Sequence, residues 1–385
     1  MQPTVGVLGG GQLAWMLAQA ARDLDIPLWV QTPNPADPAV ALSTGHTLAP
    51  CDDPAGLEQL LQNCDVLTFE NEWINLGLLK ELLKKSGYSR VVVRPGWQSL
   101  APLLDKYDQR CYAQTLGLPV PEFWLLTPAD PPPTLPLVVK ARRHGYDGGG
   151  TRIIHTPAEL TALWQAWNVA SVLAEAYVPF SQELAVLAAR HPNGTVATYP
   201  VSQTHQVNQI CRWVYTPAPV PAAVAQTLQQ HTHILLGALA YEGLLATEWF
   251  YLPDGSVLLN EIAPRTHNSG HYTLDACVTS QFHQHLRAIT AAPLGNTDLT
   301  TTGALMVNLL GYETATHDYL PQRQQLGQWG QVYWYGKKPS RPGRKLGHIT
   351  ILNVPADDIT AWVEQVESLW SSGGNRPDLV ELKTR

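Results

Sequence analysis

Residues 243–273 constrain the fold of this chain more than any other stretch. Two runs rich in strand-forming residues, 246–252 and 257–262, flank a Pro-Asp-Gly-Ser turn, so a β-hairpin is predicted. If Leu252 faces Val257, Glu248 lies directly opposite Glu261, with Cβ atoms about 5 Å apart. Two carboxylates that close repel unless a cation lies between them, and such pairs suit Mg²⁺ that also binds substrate phosphates. The hairpin therefore predicts a magnesium site, or else two surface acids on an exposed sheet face.

The loop that follows Glu261 concentrates polar side chains beside the two carboxylates. Arg265, His267, Asn268 and Ser269 all fall within it. A cation, an imidazole, an amide and a hydroxyl next to a candidate Mg²⁺ pair suit an anion such as phosphate or bicarbonate. The alternative is a solvated loop whose histidines are incidental.

Residues 4–31 predict a βαβ unit that opens a doubly wound domain. An apolar strand over residues 4–8 runs into a glycine turn and an amphipathic helix. The dinucleotide pattern G-x-G-x-x-G is not met, because Ala14 holds the last glycine position and no acidic residue ends the second strand. The turn at Gly11 and Gln12 predicts either a phosphate or carboxylate site at a helix N-terminus or a purely structural tight turn.

Two carboxylates follow the predicted strand over residues 65–69. Glu70 and Glu72 stand at alternate positions at its end. Ligands bind at the carboxyl ends of strands in open α/β sheets, so this pair is expected to face the same crevice as the glycine turn. The alternative is an acidic helix N-cap without a ligand.

Lys140 ends a predicted strand over residues 137–140 and precedes a glycine-rich loop. Such a loop can fold over phosphates while the lysine supplies a point charge, and the order of lysine and glycines excludes a P-loop. A flexible surface hairpin is the alternative. The backbone of residues 175–178, at the end of the next predicted strand, suits the edge of an adenine, and Glu183 begins a further strand.

The C-terminal part carries a cationic loop. Five lysines and arginines lie within residues 337–345 of a chain whose formal charge is -7, so the loop would attract an anionic ligand. A solvated hairpin tip is the alternative.

Composition excludes several classes of protein. A chain of 385 residues can form two or three domains with large cores. The acidic balance argues against nucleic-acid binding, and neither a membrane-length apolar run nor a signal peptide is present, so a soluble cytoplasmic protein is expected. The five cysteines are widely spread, which indicates reduced thiols.

Several motifs resemble those of the 5-(carboxyamino)imidazole ribonucleotide synthase family of ATP-grasp ligases. The similarity covers nearly the whole chain. The last two motifs are specific to this family rather than to ATP-grasp proteins in general. In order they are GGGQL at residues 9–13, FENE at 69–72, GYDG at 145–148, NEIAPRTHNSGHYT at 260–273 and RPGRKLGHI at 341–349.

The resemblance implies a fold and a reaction. The expected fold class is mixed α/β and α+β, with an N-terminal doubly wound domain (1–103), an ATP-grasp domain (104–295, lid about 118–180) and a small β-rich C-terminal domain (296–385). The implied reaction ligates bicarbonate to the amine of 5-aminoimidazole ribonucleotide, with ATP cleaved to ADP and phosphate through carboxyphosphate. The implied assembly is a homodimer.

Together with the patterns above, the resemblance implies roles for individual residues. Mg²⁺ is expected on Glu248 and Glu261. The catalytic candidates are Asp147, Arg265, His267, Asn268 and Lys337. The candidates for binding the ribonucleotide are Gly11, Gln12, Glu70, Glu72, Tyr146, Asp147, His267, Asn268, Ser269, Lys337, Arg344 and Lys345. The candidates for binding ATP are Lys106, Lys140, Gly145, Tyr146, Asp147, Gly148, Gly149, Gly150, Thr151, Glu175, Ala176, Tyr177, Val178, Glu183, Asn260 and Glu261.

The chain departs from the family pattern at three places. Gly149 stands where the family lid usually has a cation. Lys106 and Arg110 exchange the usual arginine and lysine. A family histidine aligns with Gln206, whereas His205 is one residue away, and a slip of one residue in a strand reverses the face of a side chain.

Three other functions are weighed against this one. A formate-dependent ribonucleotide transformylase or another carboxylate–amine ligase could share the hairpin and lid. A non-catalytic nucleotide-binding regulator is disfavoured by intact Lys140, Glu248 and Glu261. A NAD-dependent oxidoreductase is disfavoured by Ala14.

Overall fold

The computed structural model of the protein describes residues 2–85, 87–143 and 150–371. These residues form three β-sheets with helices packed on them. No helix within these ranges is long and apolar enough to cross a membrane. The predicted lid residues Gly145, Tyr146, Asp147, Gly148 and Gly149 lie outside the described residues.

The N-terminal sheet is parallel and doubly wound, as predicted. Its strands are β1 (Val5–Leu8), β2 (Leu28–Thr32), β3 (Gly45–Leu48), β4 (Val66–Phe69) and β5 (Val92–Val93), in the order β3-β2-β1-β4-β5. The connecting helices are α1 (Gln12–Asp23), α2 (Pro54–Gln62) and α3 (Leu76–Leu83). Every residue of β1 and β4 is buried, as a sheet covered on both faces requires. Because β1 pairs with β4, the glycine turn and Glu70 meet at one edge of the sheet.

A small antiparallel sheet follows. The chain reaches it through α4 (Trp97–Leu100), a 3₁₀ turn (Ala101–Leu103) and α5 (Lys106–Thr115). Asp105 caps α5 by accepting hydrogen bonds from the N–H groups of Tyr107 and Asp108. The strands are β6 (Phe123–Leu126), β7 (Leu137–Lys140), β8 (Thr151–Ile154) and, after α6 (Pro157–Trp167), β9 (Val172–Ala176), in the order β6-β9-β7-β8.

The third sheet is large and continuous. It contains β10 (Gln182–Arg190), β11 (Val196–Thr198), β12 (Ser202–Val207), β13 (Ile210–Thr216), β14 (Gly243–Tyr251), β15 (Val257–Ala263), β16 (Ala304–Leu310), β17 (Gln331–Trp334) and β18 (Lys345–Leu352). The strand order is β15-β14-β10-β12-β13-β16-β18-β17, with β11 beside β10. Its helices are α7 (Ala222–Ala238), α8 (Thr273–Ala276), α9 (Gln281–Ile289), α10 (Leu320–Leu326) and α11 (Ile359–Trp370).

The predicted boundary between residues 295 and 296 falls in the connection between α9 and β16. The sheet continues across it, because β13 pairs with β16 along residues 213–216 and 304–307. The C-terminal strands therefore extend the sheet that carries the carboxylate hairpin, which fixes the C-terminal part relative to that hairpin.

Helix α9 fixes the N-terminal sheet relative to the same hairpin. Phe282, Leu286 and Ile289 of α9 are buried in one apolar cluster with Leu13 and Leu17 of α1. Burying such side chains contributes about 1.5–3 kcal/mol each to folding. The packing brings the carboxyl edge of the first sheet against the polar loop after β15.

Candidate active site

Glu248 and Glu261 are directly paired across β14 and β15, so their predicted opposition is confirmed. The register at the turn differs from the predicted one, because Tyr251 rather than Leu252 faces Val257. If the strands paired without interruption from that register, Glu248 and Glu261 would be offset by one residue and would not face each other.

A one-residue β-bulge at Asn260 restores their opposition. In a regular strand, consecutive side chains point to opposite faces of the sheet. With the bulge, Asn260 and Glu261 both line the cavity that Glu248 also lines. The irregularity therefore assembles three oxygen-bearing side chains on one wall.

Helix α5 covers the edge strand β15 beside the bulge. The side-chain amide of Gln109 pairs with the N–H and C=O groups of Ile262, both at 2.9 Å. The guanidinium of Arg110 donates to the carbonyl oxygens of Leu259 at 2.6 Å and Asn260 at 2.8 Å. These bonds satisfy backbone groups that an edge strand would otherwise leave open, and they fix the bulge.

The two carboxylates differ in their ionisation. Burial, and then the charge of Glu261, raise the pKa of Glu248 to about 7. Although burial opposes ionisation of Glu261 too, the charge and hydrogen bond of Lys106 lower its pKa to about 2. The Lys106 ammonium lies 2.7 Å from Glu261 Oε1. The pair thus carries one firmly ionised carboxylate and one that is only partly ionised at neutral pH, whose charged form a nearby cation would favour.

A buried ion cluster lies beside this pair. The ammonium of Lys140 is 2.6 Å from Glu175 and 2.9 Å from Asn260 Oδ1, and the guanidinium of Arg110 also contacts Glu175. Burial opposes the ionisation of Glu175, but the charges of Arg110 and Lys140 lower its pKa. The Glu175 side chain is therefore engaged with these two cations inside the protein.

The first cavity has a volume of about 460 Å³. Burial, and then Glu248, raise the pKa of Glu183 on its wall to about 8. The apolar part of the wall comes from Val138, Ile153, Val178, Phe180 and Phe250. The ATP-binding candidates that line it are Lys106, Lys140, Gly150, Thr151, Glu175, Ala176, Tyr177, Val178, Glu183, Asn260 and Glu261.

A second, larger cavity of about 1060 Å³ adjoins the first. Gly11, Glu70 and Glu72 line it, at the edge of the N-terminal sheet. The two cavities share three lining residues, Lys106, Glu261 and Arg265. The guanidinium of Arg265 lies 2.8 Å from the Glu72 carboxylate, so the second cavity holds this cation at the junction.

The anion at the glycine turn is a carboxylate of the chain itself. Glu70 accepts hydrogen bonds from the N–H groups of Gly11 at 2.7 Å and Leu13 at 3.1 Å. Burial raises the pKa of Glu70, while these bonds and the charge of Lys337 act in the opposite direction. Lys337 also donates to the side-chain oxygen of Gln12. The turn and the C-terminal loop therefore meet at Glu70.

The polar loop after β15 closes the first cavity. His267, Asn268 and Ser269 line it, with Lys345 from β18. The imidazole Nδ1 of His267 lies 2.8 Å from Ser269 Oγ and 3.8 Å from Glu248. Burial, and then Arg265 and Lys345, lower the pKa of His267 to about 3, so this histidine is neutral.

Two of the predicted cations of the C-terminal loop lie outside the walls of both cavities. Lys337 reaches Gln12, as described above, and Arg344 donates to the carbonyl oxygen of Pro339 at 2.6 Å. Lys345, by contrast, is buried against the first cavity. The C-terminal loop thus supplies one cation on the wall of the first cavity, Lys345, and a second, Lys337, that contacts Gln12 on the same wall.

The alternative between His205 and Gln206 is settled by a bulge between them. Gln206 lines the first cavity, together with Asn208 and Gln209. His205 stacks on Trp213 with ring centroids 5.1 Å apart. The family histidine position therefore presents an amide in this chain.

Sequence reasoning left Gln109 and Arg110 out of the site. Both act on β15 through contacts about 150 positions away in the chain. The spacing of four residues between Lys106 and Arg110 is the one sequence signal, because it places both cations on one face of α5.

Family models match three parts of the chain. Residues 1–101 match the ribonucleotide synthetase preATP-grasp domain, residues 111–282 the ATP-grasp domain, and residues 304–361 the phosphoribosylaminoimidazole carboxylase C-terminal domain. The N-terminal doubly wound sheet, the carboxylate hairpin and the C-terminal strands fall within these three matches in turn.

Individual relatives match the chain over nearly its whole length. An N5-carboxyaminoimidazole ribonucleotide synthase from Synechocystis sp. is 49% identical over 95% of this chain and 98% of its own. A crystal structure of carboxyaminoimidazole ribonucleotide synthase from Aspergillus clavatus complexed with ATP has a TM-score of 0.88 at 30% identity, over 96% and 99% of the chains. A structure from the same organism with ADP and 5-aminoimidazole ribonucleotide has a TM-score of 0.87 at 29% identity, with the same coverage. The chain therefore belongs to the N5-carboxyaminoimidazole ribonucleotide synthase family of ATP-grasp ligases.

Proposed function

We propose that this ligase carries out the reaction of its family in the two joined cavities. That reaction is the ATP-dependent conversion of 5-aminoimidazole ribonucleotide to N5-carboxyaminoimidazole ribonucleotide in purine biosynthesis. The observation that supports the proposal is the junction between the two cavities. The Glu248–Glu261 pair stands on the wall of one cavity, and Glu261, Lys106 and Arg265 are shared with the other.

ATP is proposed to occupy the first cavity. Its apolar wall suits an adenine ring, and Lys140, held between Glu175 and Asn260, supplies a fixed positive charge for phosphates. Relatives have been solved with ATP and with ADP. The glycine-rich lid from Gly145 to Thr151 is proposed to fold over the phosphates.

Mg²⁺ is proposed to bind Glu248 and Glu261, beside Asn260. Three hard oxygen groups fit this ion, and a bound cation would complete the ionisation of Glu248, whose pKa is about 7. No group of three or more His, Cys, Asp and Glu residues among the described positions could hold a metal alone, so the phosphates would complete the coordination. When bound, the ion would neutralise charge on the transferred phosphoryl group.

Bicarbonate is proposed to bind at the polar loop, next to the γ-phosphate. Attack of a bicarbonate oxygen on that phosphorus would give carboxyphosphate and ADP. Neutral His267 and the amide of Asn268 would orient the bicarbonate by hydrogen bonds, while Arg265 and Lys345 would balance the charge of the acyl phosphate. The cations are held in place before the reaction begins, which is what electrostatic stabilisation requires.

The ribonucleotide is proposed to occupy the second cavity, with its amine at the junction. Lys337 and Arg344 would bind its phosphate group. Asp147 on the lid, with Tyr146, would position the amine and accept its proton as it attacks the carboxyl carbon and phosphate leaves. If Asp147→Asn retains near-normal kcat with ATP still bound, this role is wrong.

Three further proposals concern organisation. We propose one domain boundary at residues 103/104, in the segment between the first two sheets, and another at 295/296, in the connection between α9 and β16. The resemblance also supports a homodimer, and a purine-biosynthetic role supports a cytoplasmic location. Sedimentation analysis of the purified chain tests the dimer.

The function is tested by measuring ADP and phosphate release while one substrate is omitted at a time. We expect release to require both 5-aminoimidazole ribonucleotide and bicarbonate. Activity that requires formate instead would identify a transformylase. Nucleotide binding without any turnover, with or without Mg²⁺, would identify a non-catalytic regulator.

A further inference from the structure

Three side chains form a row across the C-terminal end of the large sheet. Asn308 on β16 is paired with His348 on β18, which is paired in turn with Tyr333 on β17. Directly opposed residues in antiparallel strands project from the same face of the sheet, so the three side chains stand side by side. We name Asn308, His348 and Tyr333 the polar row.

Asn308 holds the Asn268 amide in one orientation. The two side-chain amides exchange hydrogen bonds at 2.8 and 3.0 Å, and Asn308 also donates to the carbonyl oxygen of Cys211 at 3.0 Å. Both asparagines are buried. Rotation of the Asn268 amide would leave buried donors and acceptors unpaired, so it is disfavoured.

The other two members of the polar row contact the chain just beyond Asn268. The ring centroids of His348 and His271 are 5.1 Å apart, and the hydroxyl of Tyr333 donates to Asp275 at 2.8 Å. Tyr333 stacks on His348 at 4.6 Å, and the hydroxyl of Tyr335 lies 2.7 Å from His348 Nδ1. One buried histidine therefore touches both the segment 271–275 and the segment 333–335.

Gln281 extends these contacts to the backbone of His267. Its Nε2 lies 3.2 Å from His271 Nδ1 and donates to the His267 carbonyl oxygen at 2.7 Å. Its Oε1 accepts from the His267 N–H at 2.9 Å. The path of contacts is thus continuous from the polar row to His267.

We propose that the polar row positions the catalytic loop at His267 and Asn268 relative to the substrate cation Lys337. Lys337 lies two residues beyond Tyr335, and its ammonium is 5.6 Å from the centre of the Tyr335 ring. Tyr333 and Tyr335 therefore connect the strand that leads to Lys337 with the segment that follows Asn268. The members of the row touch neither cavity, so they act through the residues they hold.

Polar contacts suit this task better than apolar ones. An apolar contact between two segments tolerates sliding, whereas paired donors and acceptors are satisfied in one register only. Each half-reaction uses one of the two segments, since bicarbonate is placed at the first and the ribonucleotide at the second. Fixing their separation brings the acyl carbon within reach of the amine.

The test compares two tyrosine variants that each remove one hydroxyl. Tyr333→Phe removes the bond to Asp275, and Tyr215→Phe removes a 2.9 Å bond to the Val354 carbonyl oxygen, in the same sheet but away from the polar row. We expect Tyr333→Phe to lower kcat/KM for the ribonucleotide about tenfold, with an unchanged Kd for ADP. We expect Tyr215→Phe to leave both constants unchanged. Melting temperatures show whether the two variants are equally folded.

A second measurement isolates Asn308. Asn308→Ala is expected to raise the KM for bicarbonate in the otherwise native chain, but to add nothing in an Asn268→Ala background, because it acts through Asn268. The proposal is overturned if the two effects add, if Tyr333→Phe keeps native kcat/KM, or if Tyr215→Phe loses as much. The inference rests on the proposed function. Turnover of the ribonucleotide by the native enzyme shows which of the two has failed. If the native enzyme does not turn over the ribonucleotide, the proposed function fails, whereas native turnover with unaffected variants contradicts only the polar row.

Discussion

The carboxylate of Glu70 lies 2.7 Å from the backbone nitrogen of Gly11 at the first turn of α1. The glycine turn provides the N–H groups of an anion site, and the chain fills that site with a side chain from the end of the neighbouring strand. Burial raises the pKa of Glu70, and the charge of Lys337 acts against that rise, so Lys337 lies near this carboxylate on the wall of the second cavity. A Cβ atom at Gly11 would displace the carboxylate, because the two approach so closely.

Gly11→Ala is expected to raise the KM for 5-aminoimidazole ribonucleotide. A Cβ atom on Gly11 would lie 2.5 Å from Glu70 Oε1, so the carboxylate would have to move and its electrostatic interaction with Lys337 would change. We expect a rise of about tenfold in that KM, with an unchanged Kd for ADP. Initial-rate kinetics and calorimetry measure the two constants.

Gly87→Ala is the matched control in the same part of the chain. No atom of the described residues, apart from its chain neighbours, would lie within 4 Å of the added Cβ, so both constants should stay native. An unchanged KM in Gly11→Ala would show that the position of Glu70 has no bearing on ribonucleotide binding.

Glu248→Gln and Glu261→Gln are expected to abolish Mg²⁺-dependent ADP formation. Each variant removes one of the two carboxylate charges that the hairpin presents to a cation. Mn²⁺ titration followed by electron paramagnetic resonance measures metal binding without turnover. Glu159→Gln, at an exposed helix N-terminus, is the control and should bind Mn²⁺ normally. If both hairpin variants bound Mn²⁺ with native affinity, the metal site would not lie on this hairpin.

Arg110→Lys is expected to destabilise the protein although it keeps the charge. The guanidinium serves Glu175 and two backbone carbonyls at once, and an ammonium cannot reproduce that planar fork. We expect a loss of about 2–4 kcal/mol in the free energy of unfolding, measured by urea denaturation. Arg90→Lys, at an exposed ion pair, is the control and should lie within about 0.5 kcal/mol of the native value. Equal stability of the two variants would contradict the role given to Arg110.

The opposition of Glu248 and Glu261 could be predicted because a hairpin is local. Strand propensity and turn chemistry place two runs side by side, and counting from the turn then gives the register. The count gave the right pair despite a wrong starting register, since the bulge at Asn260 compensates for the turn. A bulge depends on contacts that reach the strand from elsewhere, here from Arg110 of α5, and no local pattern reports them.

The partners of the site residues could not be predicted for the same reason. Residue types indicate that Glu70, Lys106 and Asn268 carry chemistry, but their partners lie 59, 155 and 40 positions away. Which of them meet is decided by the strand order of the sheets and by the packing of α9 on α1. Sequence patterns specify elements and candidate groups, whereas the pairing of distant groups follows from topology.

His285→Gln is expected to weaken the acid sensitivity of the fold. His285 is buried, with Nδ1 accepting from the Leu244 N–H at 3.1 Å and Nε2 2.9 Å from Thr68 Oγ1, and burial lowers its pKa from 6.5 to about 4. Between those values the unfolded chain binds more protons than the folded one, so stability falls as the pH falls through this window and is fully present above it. Glutamine can make both hydrogen bonds without titrating.

The measurement is the melting temperature at about pH 7, above the titration window, and at about pH 5, inside it. We expect a smaller drop between the two values in His285→Gln than in the native protein, while half-buried His267 and buried His348, whose pKa values are also lowered, keep part of the dependence. His46→Gln, at an exposed position of β3, should retain the full native drop. An undiminished drop in His285→Gln would mean that this histidine takes up its proton without unfolding. The contact of β4 with β14 would then be able to hold a charge.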